Sequence, residues 1–398
     1  MHIALVSPGW PANQYPNGIV TYVQTLRAEL LKQGHQVSVI CNELGTHEDE
    51  GIYEIRSGPF RSLCQRLLLR LGVSRLSFFE HGATIASTLR QLNRRAPIDV
   101  IEMEETFGWC AEVQMRLRKP VIVKLHGPAF LAAAREENPA AFNAERLRVE
   151  AAGLKAMSVL IAPSRAALLP TLQVLGLTPL IAEVIPNPMA DEPAAAPWAL
   201  HACEPKTLLF VGRFDRLKGA DTALLAFKSL LGRDPELKLV FVGPDVGLEG
   251  AHGRVGFESY CGSLFSPEQL KQITYLGRVP RSEVFALRRR AMMTLVLSRW
   301  ENQPNTVLEA MIQACPLVAV DSGGVSEIIE HGKTGLLCRI GDVDDVCAKI
   351  RQMLEAPVAA AEMGSAARQY VLARHCPVAI VRQNLDVYRR AIAMGAPT

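Results

Sequence analysis

No run of eighteen or more apolar residues occurs in this 398-residue chain, so no membrane-spanning helix is expected. The N-terminus, MHIALVSPGW, lacks a basic region, a long apolar core and a small-residue cleavage site. No signal peptide is therefore read, and a cytoplasmic location is expected. The nine cysteines include no C-x-x-C pair and are scattered singly, several inside apolar runs such as VSVIC and GLLC. They read as small buried hydrophobes in a reducing compartment, not as disulfide partners or zinc ligands. The net charge of +3 is too small to argue for a nucleic-acid partner. Low complexity and solenoid-like short repeats are also missing.

What is present is a globular composition, with 49% apolar and 21% charged residues, in a chain long enough for two cores. HIALVSP reads as a buried strand, followed by a polar loop. GIVTYVQTLRAELLKQG has apolar residues at helical spacing and ends at Gly34, and QVSVIC is the next strand. That order is a βαβ unit and implies a parallel sheet. DVIEMEE, PVIVKLHG and VLIAPS continue it. The Pro- and Ala-rich segment 185–206 is the linker candidate. Beyond it the alternation restarts with TLLFVGR, LKLVFVGPD, ITYLGRV, AMMTLVLS, PLVAVD and GLLCRI. The expectation is an α/β fold of two doubly wound, Rossmann-like domains, 1–190 and 191–375, facing a cleft. Ligands of such sheets bind beyond the carboxyl ends of the strands.

Several residues fall at those strand ends. In VGRFDRLKGADTAL, Arg213 leaves a strand and Lys218 precedes Gly219, where a helix begins. Two cations beside a helix N-terminus can hold a pyrophosphate, although a solvated charged loop would read the same. The glycines and Lys-Ser or Lys-Thr of a Walker A loop are missing. In RWENQPNTVLEA, Glu301 and Glu309 lie eight positions apart around the start of a helix, with Pro304 expected in its first turn. A carboxylate accepts two hydroxyls at once, as in the holding of vicinal diols. The N–H groups of Asn305 and Thr306 remain for a phosphate oxygen. A surface charge at Glu301 and a buried, paired Glu309 are the plain alternatives. Paired glutamates also fit a glycoside hydrolase, but a hydrolase needs no pyrophosphate clamp.

His126 ends the strand VIVKLHG, where its imidazole is expected to point at the cleft. Gly18 opens the first helix and lets a ligand approach the backbone. Glu104, Glu105 and Trp109 of EMEETFGW follow another strand and either line an acceptor side or form an ordinary surface loop. Residues 60–79 read as a basic amphipathic helix, with Arg61, Arg66 and Arg70 mainly on one face. It suits either an anionic membrane surface or packing against the core.

Together VGR…KG, E-x7-E in ENQPNTVLEAM, GG-x-x-EII and TG-L-L resemble the retaining nucleotide-sugar glycosyltransferases of the GT-B fold, family 4. The similarity is strongest over residues 207–345. It implies transfer of a sugar from a nucleotide-diphosphate donor to an acceptor hydroxyl with retention. Arg213 and Lys218 would bind the diphosphate, Glu309 the ribose, Glu301 the sugar, and His126 would lie near its reaction face. Gly18 would lie near the diphosphate, and the base would rest on backbone near Arg278 and Val279. The last helix, 376–398, would cross back to the first domain. No cofactor or metal is implied, and the acceptor would be a sugar, a lipid-linked molecule or a small molecule. Residues 60–79 would supply peripheral membrane contact. Three departures stand out: Ile19 follows Gly18 in place of a second glycine, Asn302 and Gln303 follow Glu301, and Cys315 replaces a glycine. Asn302 and Gln303 are where donor preference is expected. An epimerase of the same fold and a non-catalytic nucleotide-sugar-binding subunit are the alternatives.

Overall fold

HIALVSPGW is buried along most of its length, the pattern of a central parallel strand covered on both faces. In the computed structural model, which describes residues 1–15, 17–55, 74–133, 141–191, 196–250 and 253–395, it becomes β1 (His2–Trp10). Arg61, Arg66 and Arg70 of the expected basic helix lie outside the described residues. The chain divides into two units, Met1–Pro188 with Pro377–Thr398, and Met189–Cys376.

The first unit adds β2 (Gln36–Leu44), β3 (Ile52–Glu54), β4 (Val100–Glu104), β5 (Val121–Lys124), β6 (Val159–Ala162) and β7 (Ile181–Val184). They form one parallel sheet in the order β3-β2-β1-β4-β5-β6-β7. The helix Gly18–Lys32 starts where the Asn17 side chain accepts the Ile19 N–H. It stops at Gln33, and Gly34 takes the left-handed conformation that glycine tolerates, with φ of +80°. Its Val20, Val23, Leu26 and Leu30 are buried at helical spacing. The last helix, Pro377–Met394, belongs to this unit: Ile380, Val381, Leu385 and Tyr388 share a core with Ile3, Leu5 and Leu26.

The second unit contains β8 (Glu204–Val211), β9 (Lys238–Val242), the antiparallel hairpin β10 (Leu248–Gly250) and β11 (Gly253–Val255), β12 (Ile273–Gly277), β13 (Ala291–Val296), β14 (Leu317–Val320) and β15 (Leu336–Cys338). Its main sheet is parallel, in the order β12-β9-β8-β13-β14-β15. The chain runs outward from β8 to β12 and returns beside β8 as β13. That reversal is the topological switch point, where the crevice of an open α/β sheet lies.

Segment 185–206 is not a linker throughout. Trp198 is buried in the second unit's core, and its indole N–H donates to the Ala291 carbonyl at 2.7 Å. Composition hid this single large anchor among prolines and alanines. Pro304 sits one position earlier than expected, as the cap of the helix Asn305–Ile312. Its carbonyl accepts the Val307 N–H at 3.1 Å, so the first turn closes on it from outside.

Candidate functional site

In the second unit, three loops meet beyond the carboxyl ends of the adjacent strands β8, β13 and β14. After β8, Arg213 Nε reaches Asp215 Oδ2 at 2.7 Å, and Asp215 Oδ1 accepts the Lys218 N–H at 2.8 Å. Asp215 thus folds the turn that carries both cations. Gly219 follows at φ of +71°, where a Cβ would sit 2.0 Å from the Leu297 carbonyl oxygen. Only glycine fits there, and it brings the helix Ala220–Leu231 against β13. Lys218 Nζ donates to Glu301 Oε1 at 2.5 Å, joining the β8 and β13 loops at the switch point.

Four further contacts fix the Glu301 loop. The Arg299 N–H donates to the Leu217 carbonyl, and the Arg299 guanidinium binds both oxygens of Asp221, each at 2.8 Å. On the other side, the Gly324 N–H donates to the Glu301 carbonyl at 2.9 Å, and Ser322 Oγ donates to the Ser298 carbonyl at 2.8 Å. Gly323, at φ of +56°, lies so close that a Cβ would come within 1.9 Å of the Glu301 carbonyl oxygen. Glu301 is therefore held by backbone on both flanks while its carboxylate meets a cation.

Glu309 faces different partners. Its Oε1 accepts from Arg281 Nε and its Oε2 from Arg288 Nη1, both at 2.8 Å. Burial would raise this carboxyl, but the Arg288 and Arg281 guanidiniums outweigh it and hold it below the usual range. Arg288 is fully buried. Neither arginine is among the residues the motifs mark. The signal was there in RSEVFALRRR, whose position 288 falls on the face with buried Val284 and Phe285. Asn302 is buried, Gln303 half-buried, and Val279 packs against the small apolar cluster of Leu209, Val242, Val284 and Ala291. Asn305 and Thr306 occupy the first turn of their helix, so their N–H groups have no partner within it.

In the first unit, His126 follows β5, and its ring packs edge-on against Tyr22 of the first helix, with centroids 4.9 Å apart. Gly18, one turn earlier on that helix, is exposed. Burial, with the nearby Lys124 charge, pushes the His126 imidazole down to about 3, so it is neutral at ordinary pH. Lys124 sits inside the apolar run VIVKLHG, where the local pattern does not set it apart. It is fully buried, pushed down to about 7 by burial, and donates to the Ile185 carbonyl at 2.5 Å. Nearby, Glu102 accepts from Tyr22 at 2.7 Å and from Tyr388 at 2.5 Å, which ties the last helix to β4. Glu104 and Glu105 are not a surface loop: both are buried.

Comparison with known proteins adds two family matches. Residues 199–370 match the model described as glycosyl transferases group 1. Residues 16–192 match that of glycosyltransferase family 4. Among curated proteins, the glycogen synthase of Mycobacterium tuberculosis is 31% identical over 44% of this chain and 41% of its own length. The N-acetyl-alpha-D-glucosaminyl L-malate synthase of Bacillus anthracis is 28% identical over 46% of this chain and 45% of its own. The matched part spans less than half the length of each of these relatives. Among solved structures, sucrose-phosphate synthase from Thermosynechococcus elongatus superposes with a TM-score of 0.73 at 20% identity, over 99% of this chain and 100% of its own. HepE from Anabaena, in complex with UDP-glucose, gives 0.68 at 17% identity, over 98% and 100%. At these identities the two superpositions establish the fold.

Proposed function

Since the chain belongs to the glycosyltransferases of the family 4 type with the GT-B fold, we propose that it moves a hexosyl group from a nucleotide-diphosphate sugar to an acceptor hydroxyl, with retention of configuration. The observation that carries this reading is the Lys218–Glu301 contact at the switch point of the second unit. A cation and a carboxylate side by side there suit a donor with a diphosphate at one end and hydroxyls at the other.

In this reading Arg213 and Lys218 take the diphosphate and carry the charge that grows on it as it leaves, without a metal. Such stabilisation is usually the largest catalytic effect. The N–H groups of Asn305 and Thr306 add a helix N-terminus to the same anion. Glu301 orients the sugar hydroxyls, Glu309 the ribose, and Val279 lies beside the base. Asn302 and Gln303 tune donor choice. The acceptor hydroxyl attacks on the face from which the diphosphate departs and gives its proton to the departing phosphate. The neutral His126 serves as a hydrogen-bonding group at the sugar, and Gly18 leaves room beside the phosphates. The acceptor is a sugar, lipid-linked or small molecule of polysaccharide, glycolipid or glycosylated-metabolite synthesis.

A panel of nucleotide sugars, beginning with UDP-glucose because HepE was solved with it, tests the reading by slow nucleotide release. Release that Arg213→Ala abolishes supports it. Silence across the panel, or release unchanged in Arg213→Ala, rules it out. Product formed from donor alone, with the nucleotide still attached, would instead identify an epimerase.

A further inference from the structure

The turn after β5 contains three peptide N–H groups within four residues, because Pro128 has none. All three are taken by carboxylates. The His126 N–H donates to Glu105 Oε2 at 2.9 Å, and the Gly127 N–H to Glu105 Oε1 at 2.7 Å. The Ala129 N–H donates to Glu150 Oε1 at 2.6 Å. Glu105 comes from the loop after β4, and Glu150 from the helix Ala141–Lys155. Each is only 2% exposed. Burying a carboxylate is costly unless its oxygens are bonded, and both oxygens of Glu105 are used on this turn.

The two carboxylates are also fixed relative to each other. Gly108, at φ of +66°, presses on the helix that carries Glu150: a Cβ there would meet the Val149 carbonyl oxygen at 2.2 Å. A Cβ on Gly153 would sit 2.4 Å from Gly108 Cα. The Glu105 loop is therefore seated directly on the Glu150 helix. Arg146 of the same helix lies 3.6 Å from Glu150. With the peptide planes on both sides of His126 held, the direction of its Cα–Cβ bond is set. Only the side-chain torsions remain, and the Tyr22 ring restricts those.

We propose that Glu105 is a positioning residue for sugar transfer. By gripping the His126 and Gly127 N–H groups together, it sets the direction from which the imidazole meets the donor sugar, and Glu150 completes the grip at Ala129. This rests on the role given to His126 above.

Glutamine matches glutamate in shape but offers one oxygen and an NH2, so Glu105→Gln cannot hold both N–H groups. Turnover at saturating donor, with the fastest sugar nucleotide of the panel, should fall about tenfold or more, as expected for a misplaced reacting group. Donor KM, and the Kd of the matching nucleoside diphosphate by calorimetry, should stay within about threefold, because Glu105 touches none of the residues proposed to hold the nucleotide. In a His126→Ala background, Glu105→Gln should cost less than about threefold, the signature of two residues acting as one. The same percentage loss in both backgrounds, or a loss confined to KM, overturns the proposal. Should Glu105→Gln fail to fold, Glu150→Ala carries the same test of non-additivity with His126→Ala. A His126→Ala protein with wild-type turnover would remove the His126 reading itself. A crippled His126→Ala beside an unaffected, folded Glu105→Gln removes only the inference about Glu105.

Discussion

The Lys218 ammonium donates to the Glu301 carboxylate at 2.5 Å, although the two residues lie 83 positions apart. Each is therefore the other's counter-charge before any donor arrives. On the proposed reading, a diphosphate would draw Lys218 away from Glu301 or share it. Lys218→Ala should weaken nucleoside-diphosphate binding by about 10- to 100-fold, the worth of one charge-assisted hydrogen bond. Glu301→Ala should bind the same sugar-free nucleotide at least as tightly as wild type, while sugar turnover falls. Calorimetry beside release kinetics reads both. Weaker nucleotide binding in Glu301→Ala would refute the competition.

Glu309 should matter more for stability than Glu301. Glu309→Ala leaves the fully buried Arg288 without its carboxylate. Removing one partner of a buried pair costs about 3–5 kcal/mol. Urea unfolding followed in the second unit should show a loss of that order, and a smaller one for Glu301→Ala. The carboxyl of Glu309 is held below its ordinary value in the fold. The unfolded chain therefore binds the proton more readily, and this contribution is present above the ordinary carboxyl range and lost as pH falls through the folded value. The stability gap between wild type and Glu309→Gln should shrink on acidification.

Gly323→Ala is expected to disturb the Glu301 loop without touching any charged group. The added Cβ meets the Glu301 carbonyl oxygen at 1.9 Å, at a backbone angle that L-residues avoid. The cost should be about 2 kcal/mol or more. Thermal unfolding reads the loss, and reduced sugar turnover should accompany it. An alanine variant as stable as wild type would show that the loop yields freely.

The first unit should respond to pH in the opposite sense. Burial, with Glu105 nearby, raises Glu104 to about 7, and burial with Glu105 raises Glu150 to about 8. A carboxyl raised by folding takes up a proton as the chain folds. Its stability contribution is present below the unfolded value and lost as pH rises through the folded one. Between about pH 4.5 and 8 these groups should make the unit progressively less stable. Glu150→Gln should flatten that slope, measured as unfolding midpoint against pH. An identical slope in the variant would contradict the assignment.

Much of this architecture was legible in the sequence because its signals are local. Short apolar runs such as LKLVFV and PLVAV can be read as buried parallel strands from composition alone, and Asn17 and Gly34 mark the ends of a helix. The strand-end residues Arg213, Lys218, Glu301 and His126 could be singled out because parallel sheets place their loops at one edge. Arg281, Lys124, Glu102 and Glu150 could not. Each has a partner twenty or more positions away, and local pattern alone does not name that partner.

The sequence by itself determined the alternation of strand and helix, the two parallel sheets and the candidate donor residues, since hydrophobic period and turn chemistry act over a few residues. Tertiary structure decided which charges meet. It joined Lys218 to Glu301, gave Glu309 two arginines and placed Glu105 under the His126 turn. It also made Trp198 a core anchor inside an expected linker and set Tyr388 of the last helix on Glu102. Those pairings depend on strand order, which brings β13 back beside β8 and β4 beside β5.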